Sequence, residues 1–198
     1  VSLWACGEGE PSTKSTIDTG STEWNDTAFH DTGIIEDSEP DCTPVIYEPH
    51  PFITDVIEVN YGDGAGFGQE SMPDIVLGPP MGGGDGRGSL DVLTLGSNGS
   101  ITVAFDGVIV DEDGPDLIVF ENPFIGWLET GIVSASQDGE TWYTWDCDAI
   151  NQDESFPGCA GVQPVHSHPD NCMDARDLEL AGGDAFDLLD IGLESARY

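Results

Sequence analysis

The sequence predicts an all-β fold, an antiparallel β-sandwich of jelly-roll type with long loops, and three observations predict it. Short apolar runs recur between turn-forming residues, as in "VIEVNY" (56–61) and "SITVAF" (100–105). Glycine (26) and proline (13) are abundant among the 198 residues, which favours short strands and many turns over long helices. No sustained i, i+3, i+4, i+7 apolar pattern occurs, so an amphipathic helix has no stretch in which to form.

In chain order, residues 1–6 read as the end of a lipoprotein signal peptide. Leu3-Trp4-Ala5-Cys6 has the form of a bacterial lipobox, in which Cys6 becomes the lipidated N-terminus after cleavage. Residues 7–44 are rich in Ser, Thr, Asp and Glu and carry Asp-Thr-Gly at 18–20 and again at 31–33. With few large apolar side chains to bury, this stretch is expected to be a disordered acidic tether. Asp-Thr-Gly also occurs in aspartic proteases, but here it has no flanking apolar strand and is read as linker.

From Val45 to Tyr198 the texture is that of a folded domain. "VIEVNY" is a strand, and "DIVLGPP" (74–80) is expected to be a short strand stopped by two prolines. "LDVLTLG" (90–96) and "SITVAF" are expected to form a hairpin around "SNG". "DGVIVD" (106–111) and "LIVFE" (117–121) flank an acidic loop. "GIVSAS" (131–136) and "TWYTWD" (141–146) form a second hairpin around "QDGE". Residues 147–176 show little periodicity, and "SARY" (195–198) reads as the first residues of a further strand.

The charge narrows the function. With 39 acids against 4 basic residues the formal net charge is −35. Nucleic acid is excluded as a partner, because no basic patch exists to displace phosphate counterions. An anionic membrane surface is excluded for the same reason, which leaves a lipid anchor as the only membrane contact. A compact chain of this charge repels itself, and bound divalent cations or a saline medium would relieve the repulsion. Of the five cysteines, the lipobox takes Cys6 and leaves Cys42, Cys147, Cys159 and Cys172, an even set consistent with two disulfides in an oxidising compartment. Three pairings are open. Cys147 with Cys159, which closes a short loop, and Cys42 with Cys172 are favoured. No C-x-x-C pair supports zinc.

The densest chemistry lies in "DEDGPDLIVFENPF" (111–124). Asp111, Asp113 and Asp116, with Glu121 and Asn122 across the strand, are hard oxygen ligands of the kind calcium takes, and Gly114-Pro115 supplies a turn. It is not an EF-hand: its sixth position is Asp116 rather than Gly and its twelfth is Asn122 rather than Glu. Asp184, Asp187 and Asp190 form a second cluster, whose spacing would put all three on one side of a helical turn, solvated or sharing a cation with the first. His166 and His168 form an H-x-H pair with Asp170 nearby. Without a third soft ligand they are read as a surface loop rather than a zinc or copper site. "GDGAGFGQE" lacks the third glycine of a dinucleotide fingerprint and "GGGDGRGS" the lysine of a P-loop, so neither is read as a nucleotide site.

Trp127, Trp142 and Tyr143 are candidates for stacking on a sugar. Alternation along a hairpin means that Trp142 and Tyr143 cannot both enter the core. No nucleophile elbow or Ser-His-Asp context occurs and no catalytic residue is assigned, so the chain is read as a non-enzyme.

The blocks "GAGFGQESMPDIVLGPPMGGG", "GSLDVLTLGSNGSITVAFDGVIVDEDGPDLIVFENPF", "VSASQDGETWYTW", "GCAGVQPV" and "AGGDAFDLLDIGL", followed by "ARY", resemble a domain of bacterial cell-surface proteins and lipoproteins, over about Val56 to Tyr198. The resemblance implies a galactose-binding-type jelly roll, a structural calcium, glycan or surface binding, and a chain that continues past "ARY" through further strands. "VHSH" (165–168) falls outside that pattern. The resulting expectation is a calcium-binding, lipid-anchored extracellular domain with an adhesion or glycan-binding role, its partner a glycan or another surface protein. A self-assembling subunit completed by strand exchange, hence a homo-oligomer, is the second reading, and a metal-dependent hydrolase the third.

Overall fold

The computed structural model describes the backbone of residues 2–5 and the chain from 42 to 198. Cys6 and the expected tether, apart from residues 42–44, lie outside the described residues. The fold is all-β. Among the described residues nine strands, β1 (Ser2–Ala5), β2 (Asp55–Asn60), β3 (Ser100–Ala104), β4 (Ile109–Val110), β5 (Leu117–Val119), β6 (Gly131–Ala135), β7 (Tyr143–Thr144), β8 (Asp184–Phe186) and β9 (Ser195–Ala196), are connected by loops and 3₁₀ turns. All described pairings are antiparallel: a five-stranded sheet in the order β2-β3-β1-β6-β7, and the two pairs β4-β9 and β5-β8.

The strands form where β-branched residues alternate against a core. Ile101 and Val103 of β3, Leu117 and Val119 of β5, and Val133 and Ala135 of β6 are buried at every second position. They meet Trp145, Phe186, Leu188 and Leu193 in one cluster, so the five-stranded sheet and the β5-β8 pair share a core. The β6-β7 hairpin forms with Ser134 opposite Thr144 and Ala135 opposite Tyr143.

Three local expectations are corrected. Residues 90–96 do not zip onto β3, because both of its edges are taken, one by β2 and the other by β1. Instead Leu95 O accepts from Gly62 N (2.8 Å) and Thr94 N donates to Phe67 O (3.0 Å). A Cβ on Gly62 would stand 2.0 Å from Ser97 O, so this close approach of two backbones requires glycine. Within "DIVLGPP", Asp74–Val76 is a 3₁₀ turn rather than a strand; Val76 N bonds back to Pro73 O (3.1 Å). Lastly, Asp184, Asp187 and Asp190 do not share a helical face. Gly182 and Gly183 both have positive φ (73° and 77°), which starts an extended segment, so Asp184 opens β8, Asp187 caps a 3₁₀ turn and Asp190 lies within that turn.

Two disulfides form, Cys42–Cys172 across 130 residues and Cys147–Cys159 across 12. They place the folded chain in an oxidising, extracytoplasmic environment. No helix among the described residues is long and apolar enough to cross a membrane.

The pairs β4-β9 and β5-β8 lie along the same two stretches of chain. Residues 109–119 run antiparallel to 184–196, and the pairing is interrupted midway, where both sides loop out. The acidic loop 111–116 is one of these excursions and the turn at 187–194 is the other, which brings them face to face.

Candidate metal centre

Backbone bonds at the two ends of the interruption hold the loop. Asp111 N donates to Glu194 O (3.1 Å) and Asp116 N to Phe186 O (2.9 Å). The Asp116 carboxylate then bridges the gap: Oδ1 accepts from Glu112 N (2.9 Å) within the loop, and Oδ2 accepts from Leu188 N (2.9 Å) across it. Asp187 caps the 3₁₀ turn Leu188–Ile191 through Oδ1, which accepts from Leu189 N (2.9 Å). Its carbonyl oxygen accepts from the indole Nε1 of buried Trp145 (2.9 Å). Beneath the turn Leu188 is 0% exposed, so the turn cannot shift without opening the core.

One carboxylate oxygen from each of Asp111, Asp116 and Asp187 lies within 4.8 Å of the others, the one such grouping of ligating side chains among the described residues. Asp111 Oδ1 is shut off from solvent and has no hydrogen-bond partner. Burial raises the Asp111 carboxyl above its ordinary value of 3.8, and Asp116, Asp187, Glu194 and Asp113 raise it further. Every charged group acting on it is therefore another acid. An all-oxygen set of half-buried carboxylates with an orphaned oxygen suits a hard cation rather than a soft one.

The structure brings together three of the eight expected ligands. Asp113 is exposed in the loop and acts on Asp111 only through its charge. Glu121 and Asn122 are carried away by β5, since five residues of extended chain span roughly 16 Å. Asn122 instead pins the glycine-rich loop: its Oδ1 accepts from Ser89 N (2.6 Å) and its Nδ2 donates to Ser89 O (3.3 Å). Asp184, at the far end of β8, accepts from Val162 N (3.0 Å) and Gln163 N (3.2 Å). Asp190 is exposed.

The other candidates disperse as well. His166 Nε2 meets Asp85 Oδ1 at 2.8 Å, while His168 Nδ1 accepts from Asp170 N (3.0 Å) and caps its own turn, so the two imidazoles have separate partners. Trp127 is 58% exposed and donates to Glu129 Oε1 (3.2 Å), beside exposed Ile125 and Leu128. Tyr143 is exposed and Trp142 half-buried.

A cleft of about 1030 Å³ opens beside the site; Asp116, Glu121, Phe67, Leu93, Leu95 and Trp127 are among its walls. Burial, then Glu129 and Asp184, push the Glu121 carboxyl from 4.5 up to about 8. Between those values the folded chain holds a proton that the unfolded chain has lost. Stability therefore falls as pH rises through that window, by at most about 5 kcal/mol. Glu121→Gln is expected to flatten that slope in urea titrations between pH 5 and 8, whereas an unchanged slope would place the ionisation elsewhere. The sequence singled out Glu121 as a calcium ligand; its position at the end of the apolar run "LIVFE" is instead the signal for a carboxyl drawn toward the core.

No protein-family model, curated protein or solved structure matches this chain.

Proposed function

We propose that this chain is a calcium-binding β-domain of galactose-binding jelly-roll type, displayed outside the cytoplasm on a lipid-anchored tether. Calcium held by Asp111, Asp116 and Asp187 would lock the acidic loop to the 187–194 turn. The exposed apolar loop at Ile125, Trp127 and Leu128 would then contact a glycan or another surface protein. The observation that carries the calcium reading is that Asp111, whose carboxylate groups with those of Asp116 and Asp187, has a buried Oδ1 with no hydrogen-bond partner. A carboxylate oxygen kept from water is costly unless something bonds it, and a cation with six to eight oxygen ligands does so while accepting main-chain carbonyls and waters in its remaining positions.

Terbium, which replaces calcium in oxygen sites, tests the site through Trp145, whose indole bonds Asp187. Tryptophan-sensitised terbium luminescence is expected to saturate at one ion per chain, to be displaced by calcium, and to fall at least tenfold in affinity in Asp116→Asn. Luminescence that never saturates, or that Asp116→Asn leaves unaltered, would show diffuse surface binding instead.

A further inference from the structure

β1 comes first in the chain yet sits in the middle of the sheet. Ser2–Ala5 runs antiparallel to β3 on one side, with Ser2 opposite Thr102, and to β6 on the other, with Ser2 opposite Ser134 and Ala5 opposite Gly131. The C-terminal strand points into the same slot. Just past the ends of β3 and β6, Phe105 N donates to Arg197 O (3.2 Å), and Tyr198 and Ser136 bond each other in both directions (2.9 and 3.0 Å).

The registers agree from both sides. Tyr198 stands opposite Ser136 and Ser2 opposite Ser134, so Ser2 lies two places beyond Tyr198 along β6. Along β3, Arg197 bonds at Phe105 and Ser2 faces Thr102, three places beyond Arg197, which is the same position. Tyr198 and β1 also run in the same direction against β6. β9, Tyr198 and β1 therefore form a single strand line interrupted by one residue place.

We propose that the slot between β3 and β6 is a strand-acceptor site whose register is set by β9. Its best-fitting guest is an extended segment entering directly from Tyr198, and Ser2–Ala5 is a replaceable occupant. A guest joined at Tyr198 closes no loop, whereas Ser2–Ala5 connects to β2 only through residues 6–54 and bears the entropy of closing that connection. The slot also specifies the guest's chemistry. Its central place lies between Ile101 (4% exposed) and Val133 (0%), so apolar residues are needed there and at alternate places, without proline. If Cys6 is a processed N-terminus, cleavage removes Ser2–Ala5, and β3 and β6 need such a guest to cover their edges.

Full-length chains extended after Tyr198 test this. Val-Thr-Val-Thr-Val places valine opposite Ala135, Val133 and Gly131, and Thr-Val-Thr-Val-Thr is the same length out of phase. The in-phase chain is expected to melt several degrees higher and to release the amides of residues 2–5 to fast hydrogen exchange, and the out-of-phase chain to do neither. Equal behaviour of the two phases, or continued protection of residues 2–5 in the in-phase chain, overturns the proposal. Deleting residues 1–5 is expected to lower the melting temperature, with the in-phase extension restoring it. If the deletion prevents folding, rescue by the in-phase extension alone is the supporting result, and failure of rescue overturns it.

Discussion

At constant ionic strength, calcium is expected to raise the melting temperature of the metal-free chain by about 5–10 °C, and Asp116→Asn to remove most of the rise. Ligand at a hundred times its dissociation constant stabilises the native state by about 2.7 kcal/mol, and in a chain of this size each kcal/mol moves the midpoint by roughly 2–4 °C. Asp116 is the informative residue because its carboxylate ties the loop to the turn, accepting from both Glu112 and Leu188. Asparagine keeps one acceptor oxygen and so preserves part of that bridge while losing the charge. Asp111→Asn should behave differently, because Asp111 bonds no donor through its buried oxygen and is surrounded only by acids. In chelator that substitution raises stability near neutral pH, and in calcium it lowers it. The pH response follows the same logic. The folded-state value of Asp111 is raised, so the metal-free fold loses stability as pH climbs through that value, and calcium, by favouring the ionised form, weakens or reverses the loss. If sodium chloride alone produces the whole rise in melting temperature, the acids are a screened surface and the site does not exist.

The strands of the core were legible because short apolar runs bounded by turn residues mark buried strands, as in "SITVAF", "LIVFE" and "GIVSAS". Partner choice was less legible. The turn "SNG" signals a local hairpin, yet β3 pairs with β2, over forty residues earlier, and with β1 at the start of the chain. Local turn chemistry does not register competition for a strand edge. At the candidate metal centre, Asp111 and Asp116 were named from their crowding in the loop and Asp187 from the second acidic cluster, and the structure brings these three carboxylates together. The helical spacing that joined Asp187 to Asp184 and Asp190 misled, because Gly182 and Gly183 set an extended backbone before the period could begin. Glu121 and Asn122 were assigned to the loop by nearness in sequence, but an extended strand separates such neighbours faster than a turn does. Asn122 serves the loop at Ser89 and Glu121 lines the cleft.

Trp145 links the core to the candidate metal centre, and its replacement has the largest expected effect on folding. It is 5% exposed, packs edge-on against Phe186 at 5.2 Å between ring centroids, and donates its indole hydrogen to Asp187 O. Trp145→Ala removes a large buried aromatic and leaves a void lined by Phe186 and Leu188, for an expected loss of about 3–5 kcal/mol in urea unfolding. Trp145→Phe separates packing from positioning. Most of the buried area is kept, and the lost bond to a carbonyl costs only about 1 kcal/mol. If the indole serves only to fill the core, Trp145→Phe binds calcium as the parent chain does. If it positions Asp187, calcium affinity falls several-fold in a protein whose fold is almost as stable as before, and calorimetric titration distinguishes the two. The second outcome is expected. Asp187 is held by its own cap to Leu189, by the rigid turn over Leu188 and by this one side chain from β7's exit, and only the last ties its main chain to the opposite sheet. A ligand oxygen displaced by a few tenths of an ångström is tolerated by calcium's flexible geometry, which is why the expected change is several-fold and not total.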